Sequence, residues 1–360
     1  GRAHANFRYG LRAEHVKGLE LAGSRIQAPR SGEAPLLLVD TEQVGVLRTG
    51  AEPMGAFTEP SQDTEMGQVA GENDGAPRAG PELYAMENLV AWCVVPYDAL
   101  ERTPAQRAAM LAGLGFERMA WDWRDRHLPE FEDEIRQLAA NGIALDAAWF
   151  WLDNRASDGL LEHHEHILRT LERTGTRTTL WVSYDNDVFA GLRERAKLRK
   201  AVRSLEGILE RAREGGHKVA LYNHGDWFGE PENQIRILRA LGVGPQGSDE
   251  IGLVYNFHHA HGQVERFGEL LDRMMPHLWT ANINGMERGG AKILDVGAGD
   301  LEADMLRRLA ESGFDGTVGI LGHVEQEDVE QVLRRNLEGL ARLTGAPAGL
   351  RPRAGVRGTR

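Results

Sequence analysis

The chain has 360 residues, 41% of them hydrophobic, enough for one large domain of about 250 residues and a smaller one. Its formal net charge of -12 excludes a general phosphate-backbone binder, which needs clustered Lys and Arg to displace counterions, so no nucleic-acid partner is expected. No window approaches the ~20 apolar residues of a membrane span, and the single cysteine, Cys93, lies in the apolar run NLVAWCVV, where a buried, inert thiol is expected and no internal disulfide can form.

The opening residues, GRAHANFRYG, lack the apolar core of a signal peptide. The start at Gly rather than Met suggests a processed or truncated product, and the compartment stays open between cytoplasm and export. Leu11, Ala13, Leu19 and Leu21 are echoed about 25 residues later by Leu36, Leu38, Val44 and Val46. A repeat of that period suits a solenoid of parallel strands, although solenoids need about three or more coils to cover their own apolar faces. Residues 1–51 resemble the last coils of a pectinase-like, right-handed parallel β-helix; a pair of β-hairpins is the alternative. Residues 52–85 are dense in Gly, Pro, Glu and Ser and are expected to form a flexible linker. A basic, disordered tail is expected over 347–360.

After the linker, apolar strand-like runs alternate with amphipathic helical stretches. The expected strands are 89–95, 117–122, 145–151, 178–184, 218–223, 251–256, 277–283 and 316–321. Helical patterns between them include TPAQRAAMLAGL, with Pro104 near its start, and FEDEIRQLAANG, with Gly142 just past its end. Eight such units over 86–346 predict an α/β fold, a (β/α)8 TIM barrel, with an open doubly wound sheet as the runner-up. No Gly-rich dinucleotide fingerprint follows the first strand and no Walker loop occurs, so nucleotide cofactors are disfavoured.

In such a barrel the C-terminal strand ends and the loops after them form the active site. Three clusters stand out there: VALYNHGDWFG, IGLVYNFHHAHG and HLWTANINGM. Two chemical themes run through these ends. The first is carbohydrate: Trp123, Trp149, Trp151 and Trp227 offer faces for a sugar ring while Asn and Asp satisfy hydroxyls, with about half of these tryptophans expected in packing. The second is acid–base or metal work by His224, His258, His259 and His261 on two adjacent strand ends. Asp122, Arg124 and Asp125 form a possible clamp on a hydroxyl or carboxylate, or else a rim salt-bridge network. The HHEH run at His163 is expected on the solvated face of a helix, and Glu230, before Pro231, is expected to cap one.

From Asn88 to about Leu343 the chain resembles the xylose isomerase-like TIM barrels, the superfamily of sugar phosphate isomerases, epimerases and related endonucleases. The residues that carry the likeness are ALYNHGDWFGEPENQIRIL, IGLVYNFHHAHG and FDGTVGILGHVEQEDVEQVLRRNLEGL. The resemblance implies a divalent metal held by Glu, Asp, His and Glu at the ends of strands five to eight. Carried over, those positions are Tyr222, Asn256, Asn282 and Leu321 or Gly322, so the usual ligand set is absent. His259 and His224 do match family histidines. With Asp226 they are the only plausible candidates for a metal, and His224 and His259 the candidates for catalysis. Asp122, Trp123, Arg124, Trp151, Tyr222, Asn223, Asp226, Trp227, Asn256, Asn282 and Asn284 are the candidates for substrate binding. The expected function is a carbohydrate-active protein acting on a sugar or sugar acid. The alternatives are a non-catalytic sugar-binding module attached to a polysaccharide-active domain, or a metal-independent lyase or hydrolase.

Overall fold

The computed structural model describes residues 11–14, 20–22, 36–39, 45–47, 81–154, 160–289 and 291–346. Two compact units divide the chain, Gly1–Asp74 and Gly75–Arg360. In the first unit, β1 (Leu11–Glu14) pairs with β3 (Leu36–Val39), and β2 (Glu20–Ala22) with β4 (Gly45–Leu47). Both pairs are parallel, with Leu11 opposite Leu36 and Glu20 opposite Gly45. A hairpin gives antiparallel partners, so neither pair is a hairpin. The expected linker and basic tail fall almost wholly outside the described residues.

In the second unit eight parallel strands close into a barrel. They are β5 (Leu89–Trp92), β6 (Arg118–Trp121), β7 (Ala144–Leu152), β8 (Thr179–Tyr184), β9 (Lys218–Tyr222), β10 (Ile251–Asn256), β11 (Leu278–Ile283) and β12 (Thr317–Leu321). Each follows an expected apolar run, and β12 pairs with β5 to complete the ring. Helices cover the outside: α1 (Pro104–Leu114), α2 (Phe131–Ala140), α3 (Glu162–Thr174), α4 (Glu194–Gly215), the short α5 (Asp226–Gly229), α6 (Pro231–Ala240), α7 (Phe267–Met274), α8 (Glu302–Glu311) and α9 (Val329–Thr344). Among the described residues no helix is long and apolar enough to cross a membrane.

Local chemistry fixes where these helices start and stop. The Thr103 hydroxyl accepts from Gln106 N while the Gln106 side chain accepts from Thr103 N, a reciprocal cap that starts α1 with Pro104 in its first turn. Gly115 ends the same helix at φ 92°, a left-handed turn open to a residue without Cβ.

Strand alternation sorts two cores. Leu89, Ala91, Met119, Trp121, Leu221, Tyr255 and Ile320 point out against the helices. Val90, Trp92, Ala120, Ala147, Trp181, Ala220, Tyr222, Val254 and Leu321 fill the barrel. The alanines on β6, β7 and β9 leave room for three large rings, Trp92, Trp181 and Tyr222, which close the interior below the mouth.

Candidate functional site

Inward positions at the C-terminal strand ends carry aromatic rings in unbroken succession. Trp181 meets Trp92 edge-on at 4.8 Å, and Trp92 lies 5.6 Å from Trp149 and 5.8 Å from Tyr222. Trp149 continues to His224 at 5.8 Å, His224 to His259 at 4.5 Å, and His259 to His258 at 4.4 Å. His258 then reaches His323 at 5.3 Å, and His323 lies against Tyr97 at 3.7 Å. Arg124 ends the chain, donating to the Tyr97 hydroxyl at 3.0 Å with its guanidinium over the ring. Trp151 stands above on the same face of β7, 41% exposed, as a platform open to solvent.

Polar groups among and beneath these rings divide into engaged and unengaged. Asn223 uses its whole amide on the neighbouring strand: Nδ2 donates to Asn256 O at 3.1 Å and Oδ1 accepts from Asn256 N at 2.7 Å. Asn256 is engaged too, its Oδ1 accepting from His258 N at 3.0 Å and its Nδ2 donating to the Tyr222 hydroxyl. That hydroxyl also accepts from Trp92 Nε1 at 3.1 Å.

Other groups have atoms left over. Both amide atoms of Asn282, Asn284 Oδ1, Ser183 Oγ, Asp122 Oδ2 and His224 Nδ1 are buried without a hydrogen-bond partner. All six stand at the same end of the barrel, on β6, β8, β9 and β11 or just past them. Asn282 lies close enough to Tyr222 to favour its ionised form slightly, yet no well-formed bond joins them. Gly319, its partner on β12, makes room for it: a Cβ there would collide with Asn282 Oδ1.

Burial sets the protonation of the site. It pushes Asp122 up to about 7, against the pull of Arg124 and of the Val94 and Val95 N–H groups that Oδ1 accepts at 3.2 Å. It pushes His258 down to about 3 and His323 to about 4, and holds His224 and His259 below the usual imidazole range. The positive charge of Lys292 adds to the effect on all four. The histidines are therefore neutral donors and acceptors at neutral pH, and Asp122 is the carboxyl poised to titrate there. Tyr222 is held far above the ordinary phenol range by burial.

Several candidates stand apart from this assembly. Trp123 is buried in the barrel–helix layer, stacked 6.1 Å from Trp121 and donating to Trp149 O at 2.9 Å. Trp227 lies on the outer rim, its Nε1 donating to Glu194 at 2.9 Å and its ring under Lys197. Asp226 is exposed at the start of α5. His261 is half-buried, its Nε2 2.9 Å from Lys292 O. Glu230 does precede α6, but its side chain accepts from Gln263 instead of capping the helix. The HHEH expectation needs correction: His164 is fully buried, its Nδ1 accepting from Leu161 N and its Nε2 2.8 Å from Trp151 O. It fastens the start of α3 to the end of β7.

Trp92, Trp181 and Lys292 belong to the site but were not among the sequence candidates. Trp92 and Trp181 sat in apolar runs, and the period-two alternation of their strands is the signal that would have turned them inward. Lys292 lies in the long segment after β11, where no periodicity exists. Among the described residues, no group of three or more His, Cys, Asp or Glu is placed to hold a metal ion.

The barrel has the fold of the xylose isomerase-like TIM barrels. It is similar to the apo form of 3-keto-D-glucoside 4-epimerase, YcjR, from E. coli, at 15% identity and a TM-score of 0.54, covering 71% of this chain and 99% of that one. A similar likeness joins it to the IOLI protein with a bound zinc atom, at 13% identity and a TM-score of 0.55, over 72% and 98% of the two chains. D-psicose 3-epimerase crystallised with D-fructose matches at 12% identity and a TM-score of 0.52, over 71% and 99%. No family profile and no curated relative matches the sequence.

Proposed function

We propose that the mouth of this barrel binds a sugar or sugar acid, and that the protein is carbohydrate-active with the metal-ligand set of similar barrels replaced. The observation that carries the reading is the group of six buried, unpartnered polar atoms at one end of the barrel. Leaving such an atom unpaired costs about 1–3 kcal/mol, and buried polar groups in folded proteins are nearly all hydrogen-bonded. Several together beside an exposed tryptophan face suit a polyol, which offers many hydroxyls and one apolar ring face. Similar barrels include proteins whose names specify sugar or glycoside epimerases.

The residues at the customary metal positions do not fit a divalent ion. Tyr222 is held as the neutral phenol and hydrogen-bonded to Trp92 and Asn256; Asn256 is occupied by the backbone of His258; Leu321 is apolar. Hard cations prefer carboxylate oxygens. The missing carboxylates at Tyr222 and Leu321 also favour a second reading, a sugar-binding module without turnover. A thermal-shift screen of the purified chain against aldoses, ketoses and divalent ions, followed by isomerisation assays, tests both. Stabilisation by sugar and none by ions supports the proposal, and turnover then separates enzyme from module. A stoichiometric ion whose removal abolishes sugar binding overturns it.

A further inference from the structure

The outer face of α4 carries an ordered charge pattern that the rest of the barrel unit leaves largely unused. At about 100° per residue, Arg195, Arg199, Arg203, Glu206, Glu210 and Glu214 fall along one stripe, and all of them are exposed. Other helices set an acid four residues before an arginine and pair the two, as in Glu132 with Arg136, Glu269 with Arg273 and Asp304 with Arg308. That is the order a helix favours. The α4 stripe instead groups its charges by sign. Arg195, Arg199 and Arg203 repeat at four-residue spacing, as do Glu206, Glu210 and Glu214, so each neighbouring pair repels. Among the described residues Arg195, Arg199, Arg203, Glu206 and Glu210 form no ion pair, and Glu214 is 3.0 Å from Arg211. Arg213, also on this side, is taken by Glu250 at 2.9 Å.

The pattern is antisymmetric about the middle of the helix. That midpoint lies between Ser204 and Leu205, and reversal about it exchanges Arg203 with Glu206, Arg199 with Glu210, and Arg195 with Glu214. A second copy laid antiparallel across this face therefore meets every arginine with a glutamate and every glutamate with an arginine. A parallel copy in register meets like charge throughout. The antiparallel arrangement also sets half-buried Val202 of one copy opposite Gly207 of the other. Gly207 is exposed in the helix interior, where a Cβ would meet nothing within 4 Å. Alanine would make the stronger helix there, and the glycine leaves a notch for an approaching apolar side chain.

We propose that α4 is the contact helix of a homodimer, two copies pairing antiparallel about a two-fold axis through its midpoint. Arg199 and Arg203 of each copy then bind Glu210 and Glu206 of the other, while Arg195 meets Glu214 toward the ends. The helix has 22 residues and is roughly 33 Å long. One charged helix face makes an interface at the small end of the specific range, so the dimer is weak, in the micromolar range, and sensitive to salt.

Sedimentation velocity of the full chain over a concentration series tests it. A monomer–dimer equilibrium is expected at low salt, with Kd rising about tenfold or more at about 0.5 M salt. The acidic-stripe variant Arg199→Glu/Arg203→Glu and the basic-stripe variant Glu206→Arg/Glu210→Arg should each stay monomeric alone, since each meets its own charge. Mixed, the two should associate at least as tightly as wild type, because every position is complementary again. All four positions are exposed, so both variants should keep the wild-type circular dichroism spectrum. A wild-type chain that stays monomeric up to about 1 mM at low salt, a dimer that survives in either variant, or variants that fail to associate on mixing overturns the proposal.

Discussion

Glu134 and Asp122 are both carboxyl groups buried in this barrel, and their surroundings differ completely. Glu134, between α1 and α2, receives Arg107 through three bonds, Nε to both carboxylate oxygens at 3.1 Å and Nη2 to Oε2 at 2.7 Å. Arg107 Nη1 also donates to Arg102 O at 2.7 Å. Asp122, at the mouth, has two backbone N–H groups on one oxygen and nothing on the other. A closed network holds a fold together and leaves nothing to offer a ligand. An open one costs stability and retains bonding capacity where substrate arrives. The same contrast separates Asn223, fully engaged by Asn256, from Asn282, engaged by no well-formed bond.

The largest expected effect tests the closed side. Arg107→Ala strands Glu134 as an unpaired buried charge and should lower stability by about 3–5 kcal/mol, read as a fall in the urea midpoint. A loss below about 1 kcal/mol would remove the distinction between the two carboxyls.

Next comes pH. Burial raises the folded pKa of Asp122 to about 7 from the ordinary 3.8, so the folded state holds the proton more tightly than the unfolded one. Its contribution is fully present below about pH 4 and is lost as pH rises through 7. His258 and His323, at about 3 and 4, act in the opposite sense: their contribution is present above about pH 6.5 and is lost as pH falls toward those values. Asp122→Asn should therefore remove the decline between about pH 4 and 7, and at pH 8 be more stable than wild type by on the order of 4 kcal/mol. An unchanged pH profile would contradict the open environment assigned to Asp122.

Smaller effects belong to the unengaged amide. Asn282→Ala should leave stability within about 1 kcal/mol of wild type, since no bond in good geometry is lost, while weakening sugar binding by about tenfold. Gly319→Ala should do the same indirectly, because its Cβ displaces the Asn282 side chain. The smallest is Trp151→Ala: a several-fold loss of sugar affinity from the missing stacking face, with little change in melting temperature.

The barrel was legible in the sequence because eight apolar runs, spaced by amphipathic helices, leave few other ways to bury a strand on both faces. The 25-residue echo between Leu11 and Leu36 likewise appears as parallel register. The site was legible in kind and less so in detail. Asn, His and Trp at strand ends could be read off, but whether an amide is engaged depends on the strand beside it. Asn223 and Asn282 look alike in sequence; cross-strand register gives one an Asn256 backbone partner and seats the other against Gly319. His164 was misread because a single helical turn carries it from solvent to the end of β7.

The most direct test of the sugar mouth is calorimetric titration of wild type and Asn282→Ala with the same sugars, with and without a chelator. The account predicts saturable binding by wild type that the chelator leaves unchanged and that Asn282→Ala weakens about tenfold. Absence of binding, binding that vanishes with the chelator, or an Asn282→Ala variant that binds as well as wild type would contradict it.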